Sequence, residues 1–284
     1  MGREPSGEPR TLAPPERRTA RVVGVERLGA YCVITALDEH GPADPRPGQF
    51  YMLASEGGWG GGADERPYLP RAFSHARARE AGGGHGPLLS FLLEAVGPGT
   101  ERLSRLEPGE GLHLVGPLGV GFRGPAAGAR PLLVGGGIGV APLLCLQEEL
   151  ALVGAEATAL LGFRSARHAQ AAALFGGEPR VVTDDGSVGR QGLVTELLAS
   201  ELAADPAGSV FACGPPAMLE AVRALCAELE VPAQLALESG MACGYGACFG
   251  CAVPTREGLV RLCLEGPVLD ARGLESALFA GAGH

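Results

Sequence analysis

The stretch Pro131–Leu146, PLLVGGGIGVAPLLCL, decides the fold. A short apolar strand at Pro131–Val134 runs into GGGIGVAP (Gly135–Pro142) and then into an apolar helix reaching Leu152. Glycines let the backbone approach a pyrophosphate, and a helix N-terminus offers it unpaired N–H groups. Gly135, Gly136, Gly137 and Gly139 are the candidate contacts. Pro142 suits a first helical turn, where its missing N–H would be unpaired anyway. The plainer reading is a tight strand-to-helix connection. The motif also carries proline where the G-x-G-x-x-G fingerprint has its last glycine. The next strand, Ala157–Phe163, ends in Phe163-Arg164-Ser165, with no acid for a ribose hydroxyl. A nucleotide site here therefore differs from a standard Rossmann one.

Downstream, strands keep alternating with helices. Arg180–Thr183 is a strand, DDGSVG a turn, and a helix follows through Leu202; Val210–Cys213 is a strand and Ala217–Leu229 a helix. This alternation predicts a parallel sheet over 126–236. Cys213, Gly214 and Pro215 fall at the carboxyl end of a strand, where open α/β sheets bind ligands, and a cysteine there can lie near a nicotinamide ring. A small buried cysteine before a turn is the alternative.

Upstream, residues 20–125 read as all-β. Ala20–Val25, Tyr31–Ala36, Gln49–Ala54, Leu88–Val96 and Gly111–Val115 are short β-prone runs separated by Gly/Pro punctuation, which predicts a small antiparallel barrel. A short helix is expected over Thr100–Leu106, opened by Thr100. Residues 1–19 read as a disordered tail, and 57–64, with Trp59 inside, as a flexible loop. Arg71-Ala72-Phe73-Ser74 offers fixed charge for a phosphate and a hydroxyl for a polar ring atom. Gly97-Pro98-Gly99-Thr100 could present N–H groups to a second phosphate, although an ordinary capped helix explains it as well.

The last segment, 237–284, holds ESGMACGYGACFGCAVPTREGLVRLC at residues 238–263. Cys243, Cys248, Cys251 and Cys263 are spaced C-x4-C-x2-C-x11-C in a Gly/Ala-rich loop, which is the plant-type [2Fe–2S] ferredoxin pattern. Zinc is the competing ligand, but its sites usually pair cysteines in C-x2-4-C units joined by a longer spacer. With no signal peptide read in the chain, disulfides are the least favoured reading.

Composition narrows the classes. Of 284 residues 46% are hydrophobic, enough for real cores, and 46 glycines with 23 prolines imply many turns. A 5% aromatic content and a net charge of −9 argue against a nucleic-acid partner. The most apolar run, Pro131–Leu146, is too short and too glycine-broken to span a membrane. The expectation is a soluble cytoplasmic protein.

Taken in order, Arg71–Ser74, Gly99-Thr100 before a helix, GPLGVGF at Gly116–Phe122, GGGIGVAPL and CGPPAML resemble the ferredoxin–NADP reductase superfamily. The resemblance implies an FAD-binding barrel and an NAD(P)-binding α/β domain, so the expected fold class is α+β multi-domain with a small cluster domain. It places Arg71 on the flavin phosphate side and Ser74 near flavin N5, with Ser74 and Cys213 as the catalytic pair. Leu92, Leu93, Glu94, Gly99 and Thr100 would line the FAD. Adding TDDGS at Thr183–Ser187, GLVT at Gly192–Thr195, the cysteine loop and LCLEGPV at Leu262–Val268, the chain resembles electron transfer subunits of class B dihydroorotate dehydrogenase over about residues 20–270. Those carry FAD and one [2Fe–2S] cluster and pair with an FMN-containing catalytic subunit, expected here as a heterotetramer. Electrons would pass between that partner and NAD(H) through the cluster and FAD, because a flavin converts two-electron into one-electron transfer. A related reductase subunit serving another partner would show the same motifs, and a non-catalytic zinc or cluster sensor on a reductase scaffold is a third reading. Ala72 stands where the superfamily often has proline, and Arg164-Ser165 could suit a 2′-phosphate. Cys32, Cys145 and Cys226 read as core residues, His75 and His113 as structural, and His40, His85 and His168 as surface positions. Asp184-Asp185 reads as turn chemistry.

Overall fold

The computed structural model describes residues 16–60, 67–82, 86–279 and 281. Six antiparallel strands close a barrel: β1 (Arg17–Leu28), β2 (Tyr31–Leu37), β3 (Phe50–Ser55), β4 (Arg71–Glu80), β5 (Pro87–Glu94) and β6 (Gly111–Leu118), in the order β1-β2-β5-β4-β3-β6. Period-2 alternation builds its core. Cys32, Ile34 and Ala36 of β2 point inward beside Leu89, Phe91 and Leu93 of β5 and Leu112 and Leu114 of β6. Closure leaves no free strand edge.

Three expectations change here. β1 begins at Arg17, so residues 17–19 are strand and not tail; residues 1–15 lie outside the described residues. Arg18 explains the extension. It grips the buried Asp38 through two nitrogens, Nε–Oδ1 at 3.0 Å and Nη2–Oδ2 at 2.7 Å, and donates to the Gly116 carbonyl at 2.7 Å. Losing one partner of such a pair costs about 3–5 kcal/mol. Second, the short helix is α1 (Pro98–Leu103), entered at Gly97. Thr100 lies inside it, and its Oγ1 accepts the N–H groups of Val96 (2.9 Å) and Gly97 (3.1 Å). Third, Trp59 packs on the barrel core under the Arg71 guanidinium, 5.8 Å from the ring centroid; residues 61–64 of its loop lie outside the described residues.

The second sheet is formed by β7 (Arg130–Gly136), β8 (Thr158–Phe163), β9 (Arg180–Thr183), β10 (Arg190–Gln191), β11 (Gly208–Cys213) and β12 (Ala233–Ala236), all parallel. Helices α2 (Val140–Leu152), α3 (Ala166–Ala169), α4 (Val194–Ala204) and α5 (Pro216–Glu228) connect them. The central strand β7 feeds both faces. Leu132 and Val134 meet α4 and α5, while Leu133 meets α2 and the 169–175 segment. Burial on both faces is why these strands read as continuous apolar runs. The order β10-β9-β8-β7-β11-β12 reverses direction at β7, so a crevice opens beyond the carboxyl ends of β7 and β11.

The C-terminal segment adds a hairpin of β13 (Ala252–Thr255) and β14 (Gly258–Arg261), then returns to the large sheet as β15 (Val268–Asp270), antiparallel to β12. The chain after β15 makes one 3-10 turn, Ala271–Gly273. The barrel and the sheet are pinned together. Arg77 donates to Glu148 on α2 (2.7 Å) and to the Leu174 carbonyl (2.8 Å), and the Ala30 N–H donates to the Arg167 carbonyl at 3.1 Å.

Candidate functional site

A cleft of about 1010 Å³ separates the barrel from the sheet. Its barrel wall comes from Arg71, Ala72, Phe73 and Ser74 at the start of β4, Leu92 and Glu94 on β5, and Thr100. Its sheet wall comes from Gly136, Gly137 and Gly139 after β7, and from Cys213, Gly214 and Pro215 after β11. Motifs far apart in sequence, Arg71–Ser74 on one side and Gly136–Gly139 with Cys213–Pro215 on the other, thus line one space. The remaining candidates stand behind the walls. Leu93 points into the barrel core, because β5 alternates and Leu92 takes the cleft side. A Cβ on Gly135 would meet Val140 at 2.9 Å, so this glycine lets α2 close onto β7. A Cβ on Gly99 would meet the Arg71 Nε at 2.7 Å, so this glycine makes room for the guanidinium.

The glycine turn is shaped by close approach. A Cβ on Gly139 would lie 2.5 Å from the Cys213 carbonyl oxygen, and Gly137 holds a left-handed φ of 55°. Together they bring the 136–139 backbone against the 213–215 turn while leaving open space in front of it. Cys213 is buried, and burial first, then the Glu238 carboxylate, holds its thiol well above the ordinary range. It is therefore a neutral, polarizable wall and not a thiolate nucleophile.

Several cleft residues carry no sequence signal. Glu238 stands on the wall just past β12; solvent reaches it through the cleft, yet the surrounding walls raise its pKa by desolvation. His168 is inside the cleft and not on the surface, held by Ser165 Oγ (3.0 Å to Nδ1) and by Glu94 Oε1 (3.3 Å to Nε2). Tyr31, at the start of β2, is 2% exposed, and its hydroxyl has no partner among the described residues. None of these could be read from spacing, because each depends on which strand end faces which domain. His75 is fully buried in the barrel, Asp185 accepts from the Ser187 N–H in a local turn, and Cys32, Cys145 and Cys226 are core residues, as the sequence suggests.

The four cysteines gather at the far side of the barrel wall, in two pairs. Cys251 and Cys263 are buried with their sulfurs 3.2 Å apart, and Cys243 Sγ accepts the Cys248 N–H at 3.4 Å. Among the described residues no three acid, cysteine or histidine side chains converge as they would on one metal ion. Four cysteine thiolates in two pairs supply the ligand count of a [2Fe–2S] centre. Backbone amides aim at sulfur: the Gly250 N–H lies 3.5 Å from Cys248 Sγ, and donors from Gly250 and then Cys243 lower the Cys248 thiol to about 7. Gly244 and Gly246 hold left-handed φ values of 80° and 87°. A Cβ on Gly244 would lie 2.5 Å from Met52 Cγ, so the loop seats directly on β3. Met52 is the ladder partner of Ala72, which puts the loop at Gly244 one strand away from the Arg71–Ser74 wall. Tyr245 and Phe249 are exposed on the outer side of the loop.

A family model described as the iron–sulfur cluster binding domain of dihydroorotate dehydrogenase B matches residues 238–275. The chain is 37% identical over 233 residues to the dihydroorotate dehydrogenase B (NAD(+)) electron transfer subunit of Desulforamulus reducens, covering 79% of this chain and 85% of that protein. It is 34% identical over 264 residues to the subunit of the same name from Caldanaerobacter subterraneus subsp. tengcongensis, covering 92% and 98%. Among solved structures, a chain of an NADH-dependent reduced ferredoxin–NADP oxidoreductase shares the fold with a TM-score of 0.73 at 24% identity, covering 90% of each chain. A ferredoxin reductase of carbazole 1,9a-dioxygenase aligns with a TM-score of 0.62 at 22% identity, covering 78% of this chain and 67% of that one.

Proposed function

The chain belongs to the family of dihydroorotate dehydrogenase B (NAD(+)) electron transfer subunits, and on that premise we propose how its residues divide the work. It is an oxidoreductase subunit that moves electrons for a separate catalytic subunit. Its cofactors are FAD, a [2Fe–2S] cluster and NAD. When bound, FAD exchanges an electron pair with NAD(H) and single electrons with the cluster.

Gly136, Gly137 and Gly139 receive the NAD(H) pyrophosphate against bare backbone, and Cys213, Gly214 and Pro215 flank its nicotinamide. Arg71 holds the phosphate side of FAD, and Ala72, Phe73, Ser74, Leu92, Glu94 and Thr100 line the rest. Gly99, Gly135 and Leu93 act from the layer behind. Ser74 and Cys213, one from each wall of the cleft, would flank the flavin and nicotinamide where a hydride passes. Cys243, Cys248, Cys251 and Cys263 ligate the cluster. The partner is an FMN-containing dehydrogenase in a heterotetramer, docked on the cysteine-loop side.

The observation that carries this reading is the juxtaposition itself. One cleft has the Arg71–Ser74 wall facing the glycine turn, and the cysteine loop seats behind that wall, with Gly244 against Met52. The fit is chemical as well: a guanidinium, cleft-facing glycine backbone and an unpartnered buried hydroxyl suit dinucleotides. The protein purified without oxygen should contain FAD, iron and acid-labile sulfide, and should oxidise NADH with an artificial acceptor. It should oxidise dihydroorotate only after an FMN-containing catalytic subunit is added. Stoichiometric zinc without labile sulfide would overturn the cluster, and dihydroorotate oxidation by the chain alone would overturn the division of labour.

A further inference from the structure

Four residues among those described bury a polar side-chain atom with no hydrogen-bond partner: Tyr31, Tyr51, Trp59 and His75. Tyr51, Trp59 and His75 belong to the barrel, and none of them lines the cleft. Tyr31 does line it. A buried unsatisfied hydroxyl costs about 1–3 kcal/mol, so one that persists at a ligand cleft calls for a ligand atom.

The phenol is held in place. Tyr31 pairs with Glu94 across β2 and β5, and its ring meets the His168 imidazole edge-on, centroids 5.8 Å apart. His168 is itself fixed by Ser165 and Glu94. The hydroxyl then reaches across to the sheet domain. It is the one atom within reach of a side chain built on Gly137, 4.0 Å from that Cβ position, and the rest of that direction is open space. Burial first, and then the Glu94 carboxylate, push the phenol pKa up, while Arg164 acts weakly the other way; the group stays a proton donor at any working pH.

We propose that Tyr31 is the barrel's contribution to the nicotinamide dinucleotide site, its hydroxyl donating a hydrogen bond to a phosphate oxygen held at the Gly136–Gly139 turn. This rests on the assignment of that turn to NAD(H). It adds that nucleotide binding bridges the two domains. Phosphate is the partner that matches a neutral donor beside bare backbone N–H groups, and a charge-assisted bond of this kind carries about a 10-fold effect on affinity.

The test is Tyr31→Phe, which keeps the ring and its packing on His168. Thermal unfolding is measured with and without added NAD⁺, together with FAD content and steady-state NADH oxidation by an artificial acceptor. The expected result has four parts: unchanged or slightly higher stability without nucleotide, a smaller stabilisation by NAD⁺, KM for NADH raised about 10-fold with kcat within about twofold, and unchanged FAD content. Lower stability without nucleotide would mean the hydroxyl serves the protein, and the proposal fails. Lost FAD with normal NADH affinity would put the hydroxyl on the flavin, and it fails likewise. If NAD⁺ stabilises parent and variant equally, only the role of Tyr31 falls. If NAD⁺ stabilises neither, the assignment of the glycine turn falls with it.

Discussion

The cleft and the cysteine loop prepare for their ligands in opposite ways. The cleft is made of strand ends whose directions are set by two complete sheets, and its polar groups are mostly engaged before anything binds: Thr100 with Val96 and Gly97, Glu94 with His168. From Gly240 to Cys251 the chain has no helix or strand. That loop is shaped by amides aimed at sulfur and by two glycines pressed on Met52 and Leu264. Its interior groups are thiols, which lack strong partners until iron arrives. The cleft is thus a property of the fold, while the loop is completed by its metal.

The sharpest way to break this contrast is Cys248→Ser. The variant should lose essentially all iron and labile sulfide, and with them transfer to the catalytic partner, because binding free energy and local order are one quantity at such a site. FAD content and NADH oxidation by dyes should stay near the parent's, since the barrel closes without the loop. Visible absorption, iron analysis and the two activities decide it. Parallel loss of FAD would mean that the cleft also depends on the cluster, and the contrast collapses.

Acid should strike in the reverse sense. His75, fully buried between the ladder partner Phe91 and an edge-on Tyr51, has its pKa pushed down to about 4 by desolvation. The folded value lies below the ordinary 6.5, so the neutral ring's contribution is complete above 6.5 and is lost as pH falls through 4. The gap is worth roughly 3 kcal/mol of barrel stability. Urea unfolding followed by flavin fluorescence should move to lower midpoints across that window, and His75→Phe should flatten the dependence. An equal slope in the variant would assign the acid sensitivity to other groups.

How much of this was legible follows the same division. Features fixed by local chemistry were readable: the short β-prone runs that become β2 and β6, the continuous apolar run of β7, the glycine turn after it, and the cysteine spacing. Features fixed by one element meeting another were not. Trp59 sits in a glycine-rich stretch that reads as free loop, yet it packs under Arg71, whose place only the β3–β4 ladder defines. Leu93 and Leu92 are indistinguishable in sequence, and strand parity alone sends one to the core and the other to the cleft. Val268–Asp270 follows the cysteines in the chain but pairs with β12, because an edge of the large sheet was open to it. His168 reads as a surface residue and becomes a cleft residue only when the barrel docks.

The smallest expected effect tests the cleft's own wall, where framework and ligand are hardest to separate. Arg71 leads β4, its guanidinium stacked over Trp59 and above Gly99, with Nη1 donating to the Leu69 carbonyl. Among the described residues these contacts hold the guanidinium at the cleft without an acid beside it, since neither Trp59 nor a carbonyl is one. Arg71→Ala should weaken FAD retention by about 10- to 100-fold, the range of a hydrogen bond to a charged group, with the protein still folded. Ser74→Ala, removing a neutral hydroxyl from the same strand, should change retention by no more than a few-fold and act on NADH-dependent flavin reduction instead. Dialysis of both variants, with flavin measured in the retained fraction and thermal unfolding recorded beside it, separates the two. If Arg71→Ala keeps FAD as tightly as the parent, the phosphate lies elsewhere. If it loses FAD only in step with a fall in unfolding temperature of the apoprotein, Arg71 supports the wall through Trp59, and the cleft depends on one cation for its shape much as the loop depends on iron.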